Sequence, residues 1–158
     1  MGHEFLTGET VLAFDLETTG ISTNDDRIVQ IALVGSNSSG EPVNYEHLIN
    51  PRRAIPSGAS GVHGIFDSDV KGLPDFSNYA DQIHEMVEGA VIVGHNVRKF
   101  DMPMLDNEFR RIGKLPPRPK AIMDTLASIP ILPLRAIRFQ IKTYRMLRPD
   151  PNIFLSSR

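Results

Sequence analysis

Thr10-Val11-Leu12-Ala13-Phe14-Asp15-Leu16-Glu17-Thr18-Thr19-Gly20 is an apolar run that ends in two acids, two hydroxyls and a glycine. The part from Thr10 to Asp15 is too short and too continuously apolar for an amphipathic helix, and predicts a buried strand. Side chains alternate across a strand, so Asp15 and Glu17 share one face and Leu16 points the other way, into a core. Two carboxylates side by side repel each other, and a hard divalent cation such as Mg²⁺ or Mn²⁺ relieves that repulsion with oxygen ligands. A bare Asp-x-Glu is more often a pair of solvated acids at a strand end. Thr18-Thr19-Gly20 changes the context, because hydroxyls, backbone N–H groups and a glycine suit phosphate or sugar oxygens. The same three residues also make an ordinary turn.

Outward from this strand, Arg27–Val34 predicts a second strand, Ser36–Gly40 a turn and Val43–Ile49 a third strand. Short connections make these three an antiparallel meander. Phe76, Tyr79, Ala80, Ile83, Met86 and Val87 then recur at helical spacing, with Asp75 as the expected N-cap and Gly89 as the stop. Ala90–Val93 predicts a fourth strand, Asp101–Ile112 a second helix, Lys114–Lys120 a proline-rich loop and Ala121–Met123 a last strand. Three antiparallel strands followed by β-α-β-α-β predict a mixed sheet with flanking helices, an α/β fold.

A third carboxylate of interest lies at Asp101, in Gly94-His95-Asn96-Val97-Arg98-Lys99-Phe100-Asp101. If the Ala90–Val93 strand pairs beside the first strand, its carboxyl end opens next to Asp15 and Glu17, where ligands gather in open α/β sheets. A first-turn acid favoured by the helix dipole is the plainer account of Asp101.

Asp15-Leu16-Glu17-Thr18-Thr19-Gly20 resembles the first motif of the DEDD 3′–5′ exonucleases, the family of the polymerase proofreading (epsilon) subunit within the ribonuclease H-like fold. Gly94-His95-Asn96 through Phe100-Asp101 resembles the second motif, with one residue more than the commonest form between Asn96 and Phe100. Ile55-Pro56, Val62-His63-Gly64-Ile65, Pro74-Asp75-Phe76 and Asp124-Thr125-Leu126 resemble the proofreading branch. Each motif alone is weak; in this order and spacing, over residues 8–126, they are strong together. The resemblance implies that Asp15, Glu17 and Asp101 are catalytic carboxylates holding Mg²⁺ or Mn²⁺. It implies that Thr18 and Thr19 meet a 3′-terminal nucleotide, that Val62 and His63 line the pocket for its base or sugar, and that Asn96 steadies the second motif or the substrate. His95 is either a substrate contact or a packing side chain. The implied substrate is a single-stranded DNA or RNA 3′ end, the product a nucleoside 5′-monophosphate, and a DNA polymerase subunit an implied partner.

The chain departs from that family after Asp124. The third motif pairs a His or Tyr with an Asp a few residues on, but no histidine follows His95, Tyr144 is followed four residues later by Arg148, and Asp150 is the one acid beyond Asp124. Three accounts stand: an altered or shortened tail that leaves the site damaged, loss of catalysis with retention of nucleic-acid binding, or completion of the site by Asp150 or a partner chain. The first two are favoured, so the expectation is an exonuclease with impaired activity. The alternative is a non-catalytic nucleic-acid-binding or polymerase-associated module.

Residues 1–126 are therefore expected to form the exonuclease-like domain and 127–158 an atypical, basic, proline-containing tail. In the tail Arg135, Arg138, Lys142, Arg145 and Arg148 fall at helical spacing, so a helix over 135–148 competes with poor order. Charge is divided: residues 1–97 carry four Lys and Arg against fourteen Asp and Glu, whereas 98–158 carry thirteen against five. That division is a polyanion footprint or plain variation along a soluble chain. Hydrophobic and charged fractions of 41% and 23% exclude wholesale disorder, and zero cysteines exclude disulfides and thiolate metal sites. No apolar run reaches membrane-spanning length, no signal peptide is visible at Met1–Phe5, and Leu6 breaks the myristoylation pattern begun by Gly2. The expected location is the cytoplasm, without membrane association.

Overall fold

The computed structural model describes residues 8–128, and the expectations for the tail fall outside the described residues. Strand β1 is Val11–Thr18, β2 is Ile28–Ser36 and β3 is Pro42–Leu48. Both pairings in this meander are antiparallel. Two short helices follow, α1 at Ser57–His63 and α2 at Asp67–Val70. A 3₁₀ turn at Phe76–Asn78 leads into α3, Ala80–Val87. Then come β4 (Val91–Gly94), α4 (Asp101–Arg111), β5 (Ala121–Asp124) and α5 (Thr125–Ser128). The sheet order is β3-β2-β1-β4-β5, with β4 parallel to β1 and β5 parallel to β4. This is the mixed sheet that the order of sequence patterns predicts.

Burial in β1 alternates strictly, with Leu12, Phe14, Leu16 and Thr18 inside. In β2 the first six residues are all buried, because both faces are covered. Ile28, Ile31 and Leu33 pack with Phe76, Ile83, Met104, Leu105 and Phe109 in the main core. Val29 faces the other way, into a smaller cluster with Ile55, Ile65 and Val70 from the α1–α2 segment. Each such side chain contributes roughly 1.5–3 kcal/mol on burial.

Three differences from the sequence expectations have physical causes. Strand β1 runs on to Thr18 rather than ending at Asp15, because its pairing with β2 continues through Glu17↔Gln30 and, past a bulge, Thr18↔Ile28. The helix expected over 76–87 is split at Tyr79, since Asp75 accepts hydrogen bonds from the Ser77 amide and hydroxyl and winds a tight 3₁₀ turn ahead of α3. Asp75 is thus the cap of that turn, while α3 ends at Val87 and Gly89 leaves it with φ +71°. Helix α1 is invisible to apolar periodicity because Ser-Gly-Ala-Ser-Gly-Val-His has two glycines and little apolar pattern. Pro56 before it and the left-handed Gly64 after it (φ 75°) are its legible signals.

Candidate active site

Strand lengths create the site. Strand β4 is in register with β1 at Val11↔Val91, Leu12↔Ile92 and Ala13↔Val93, and ends one residue later at Gly94. The segment Asp15-Leu16-Glu17-Thr18 therefore overhangs β4 at the carboxyl end of both strands. An overhang leaves backbone polar groups without a ladder partner, and a buried one must find another. The Leu16 amide finds Asp101: it donates to Asp101 Oδ1 at 3.1 Å, in a buried contact. Asp101 is the first residue of α4 and is only 4% exposed. Asp15 and Glu17 flank Leu16 on the half-buried face of β1. The third carboxylate is thus tied to the peptide that lies between the other two.

A cleft of about 560 Å³ opens beside this strand end. Its walls include Glu17, Thr18 and Thr19 from β1 and the following turn, Val62 and His63 from α1, and Asn96 and Phe100 from the β4–α4 connection. Six of the eight residues singled out from the sequence line it. Asp15 and Asp101 are not among its lining residues. Leu16, Gly20, Pro56 and Phe100, which lie in the quoted motifs, also line it, and sequence reasoning missed Ile21, Gly58 and Ala59. Ile21 and Val62 are respectively 91% and 65% exposed, so the cleft carries apolar groups in contact with water. An apolar side chain left exposed beside polar cleft walls was the missing signal, and only burial reveals it.

Three polar side chains of the cleft, Thr18, Thr19 and His63, are already engaged. Thr18 Oγ1 donates to the Gly20 carbonyl at 2.6 Å. Thr19, 1% exposed, donates from Oγ1 to Asp26 Oδ1 at 2.8 Å and accepts the Arg27 amide at 3.0 Å, while its own amide bonds the Arg27 carbonyl. The Thr19 hydroxyl therefore closes the 19–27 loop. His63 Nδ1 lies 3.0 Å from the Ile65 amide, which can only donate, so Nδ1 accepts. Nε2, 3.2 Å from the Thr18 carbonyl, then carries the ring proton. What His63 offers the cleft is ring surface.

The β4–α4 connection is held from below by β5. Asn96 has φ +59°, a left-handed conformation that asparagine tolerates better than most residues. Its carbonyl accepts the Lys99 and Phe100 amides, which turns the chain into α4. Asp124, buried at the end of β5, accepts the amides of Asn96 (2.9 Å), Arg98 (3.0 Å) and Leu126 (3.0 Å). Burial alone would raise the Asp124 pKa; the three amides and nearby His95 outweigh it and hold this carboxyl below its ordinary range. His95 Nδ1 meets Thr125 Oγ1 at 3.2 Å, and that hydroxyl donates to the Gly94 carbonyl, so His95 is packed towards β5.

Asp15, Glu17 and Asp101 are the donor chemistry that a hard divalent cation takes. Among the described residues, however, no group of three or more His, Asp or Glu converges as a metal-binding cluster. The three carboxylates share one strand end without forming an assembled cage.

A five-stranded mixed sheet of this order, with acids at the carboxyl end of its central strand, defines the ribonuclease H-like α/β class. Comparison with known proteins gives the particular family. The exonuclease family model (RNase_T) matches residues 12–131, and the chain belongs to that family. A DNA polymerase III subunit epsilon-like protein of Rhodobacter capsulatus is 40% identical over 110 residues, 66% of this chain and 15% of that protein. DNA polymerase III subunit epsilon of Treponema pallidum is 35% identical over 115 residues, 73% of this chain and 53% of that protein. The chain thus spans about half, or much less, of the length of these relatives. Exonuclease I of E. coli, solved in complex with a dA16 oligonucleotide, has the same fold, with a TM-score of 0.66 at 23% identity over 77% of this chain and 29% of that one.

Proposed function

We propose that this chain is a metal-dependent 3′–5′ exonuclease domain that removes nucleoside 5′-monophosphates from single-stranded DNA or RNA ends, with low intrinsic activity. The observation that carries the reading is the Leu16–Asp101 contact, which brings the acid of the second motif to the strand bearing Asp15 and Glu17, beside a cleft. In this reading Asp15, Glu17 and Asp101 hold Mg²⁺ or Mn²⁺, which when bound supplies charge neutralisation at a phosphodiester and activation of a water. The cleft takes the terminal nucleotide: Val62 and the His63 ring face offer apolar surface to its base or sugar, and Asn96 offers an amide. Thr18 and Thr19 shape that wall. Low activity follows from the residues after Asp124, which contain no His and no Tyr followed closely by Asp. Removing a general base typically costs about 10²–10⁴-fold in rate. A polymerase subunit as partner and a cytoplasmic location belong to the same reading, and the epsilon names of the relatives support it.

A second reading is a nucleic-acid-binding or polymerase-associated module without catalysis. The lack of a converged three-acid cluster among the described residues favours it. Incubation of the full chain with 5′-labelled single-stranded DNA and Mg²⁺ or Mn²⁺ separates the two. The first reading expects a slow ladder of shortened products that Asp15→Ala abolishes. Oligonucleotide binding with no ladder in either protein would establish the second reading in its place.

A further inference from the structure

The contact between Leu16 and Asp101 joins the overhanging end of β1 to the first turn of α4. Two anchors hold α4 there: Glu108 near its far end, bound to Arg27 and the Ile28 amide, and the turn before it, which hangs on the end of β5. Asp124 Oδ1 takes the amides of Asn96 and Leu126, and Oδ2 takes the amide of Arg98. The neighbouring Thr125 hydroxyl holds His95 and the Gly94 carbonyl. The Arg98 guanidinium returns to the Ile122 carbonyl of β5. Residues 94, 95, 96 and 98 are thereby fastened, in succession, to residues 122–125. Within the turn, the Asn96 carbonyl accepts Phe100 and the Val97 carbonyl accepts Met102 at 2.9 Å, so the fastening passes directly into the first turn of α4 and to Asp101.

From this connected set of contacts we infer that Asp124 is a positioning residue for the candidate active site: by holding the Asn96 and Arg98 amides it sets Asp101 against the Leu16 peptide, between Asp15 and Glu17. Asp124 lies two strands away from β1, about 9–10 Å at ordinary strand spacing, and acts through the turn and not by touching substrate. A carboxylate suits this role because it can accept from amides at both oxygens while staying buried. An asparagine cannot, since its NH₂ would face one of the donating amides. The inference rests on the exonuclease reading for its functional consequence, but its structural core does not.

The test is amide hydrogen exchange in the full chain, read at Leu16. The Leu16 amide is bonded to Asp101, and none of Asp124's hydrogen bonds reaches it. Asp124→Asn is expected to speed Leu16 exchange about tenfold relative to other β1 amides, as loss of one buried charge-assisted hydrogen bond does. Asp75→Asn, which removes a carboxylate cap remote from the site, serves as the control and leaves Leu16 unchanged. A lowered melting temperature with Leu16 protection intact would make Asp124 a purely structural residue and overturn the inference. Should Asp124→Asn fail to fold, Asp124→Glu keeps the charge but displaces the carboxylate from the Asn96 and Arg98 amides, and unchanged Leu16 exchange there overturns it equally. On 5′-labelled single-stranded DNA, Asp124→Asn is expected to lower kcat at least tenfold and to raise KM as well, since Asn96 and Phe100 of the turn that Asp124 holds line the cleft. If the unaltered chain cleaves nothing, the exonuclease reading fails, and the Leu16 exchange still decides the positioning role.

Discussion

Gly94 shows how a single hydrogen atom in place of a methyl group sets the site. A Cβ there would lie 2.9 Å from the Phe14 carbonyl and 2.9 Å from Val97 Cβ, so β1 and the second-motif turn meet through the space that glycine leaves. Its φ is not in the left-handed region, so the demand is steric. Gly94→Ala is expected to destabilise by about 1–3 kcal/mol, read as a shift in urea midpoint, because backbone has to yield. Tyr45 is the opposite case. Its hydroxyl is buried and has no hydrogen-bond partner, a unique condition among the buried side-chain polar atoms of the described residues. Burial, aided by nearby Tyr79, pushes its pKa from 10.0 up to about 12. Between pH 10 and 12 the unfolded chain therefore releases a proton that the folded chain keeps, and stability falls as pH rises through that window. Tyr45→Phe is expected to gain about 1 kcal/mol near neutral pH and to remove that part of the alkaline slope, measured by denaturation at pH 8 and at stepped values up to 12.

Elements are held together by charges that the hydrophobic pattern does not announce. Glu108, on α4 and 1% exposed, accepts Arg27 Nε at 2.8 Å and Nη2 at 3.0 Å, and also the Ile28 amide at 3.2 Å. Arg111, one turn on, reaches the same carboxylate at 3.2 Å. This ties α4, which carries Asp101, to the start of β2 and to the loop closed by Thr19 and Asp26. Removing the carboxylate leaves a partly buried guanidinium and a buried amide without their acceptor. Glu108→Ala is expected to cost about 2–4 kcal/mol, somewhat below the usual figure for a fully buried pair because Arg27 keeps a quarter of its side chain in water. The double change Arg27→Met with Glu108→Leu is expected to recover most of that loss, and equilibrium unfolding of both variants checks it.

Across the whole molecule, acidic and basic residues are divided between the first 97 residues and the rest. In the acidic part, Arg27 is committed to Glu108 and Arg52 to Asp75, so few cations there remain for a polyanion. Phosphate attraction must then come from residues 98–158, which include Arg135, Arg138, Lys142 and Arg145 in the tail. Changing those four to Gln in the full chain is expected to weaken single-stranded DNA binding. The plot of log K against log salt should flatten by about 0.7 for each phosphate that is no longer neutralised. An unaltered slope by fluorescence anisotropy would assign those side chains to solvent.

The strand and helix order was legible because period 2 and period 3.6 are local properties, written within a few consecutive residues. The alternation of Leu12, Phe14 and Leu16 was enough to put Asp15 and Glu17 on one face of β1. The quoted motifs likewise pointed to most of the cleft walls. Other features are relations between residues far apart in sequence, and no local pattern encodes them. The overhang of β1 past Gly94 depends on two strand lengths and a register. The Leu16–Asp101 bond joins residues 85 apart, and the Asp124–Asn96 bond residues 28 apart. The Thr19 hydroxyl, which the sequence offers equally to a ligand or to a turn, is committed by Asp26 and Arg27 once the loop has closed. A hydroxyl or carboxylate has few bonds to give, and which of them go to the protein's own backbone is settled only when distant segments pack against each other.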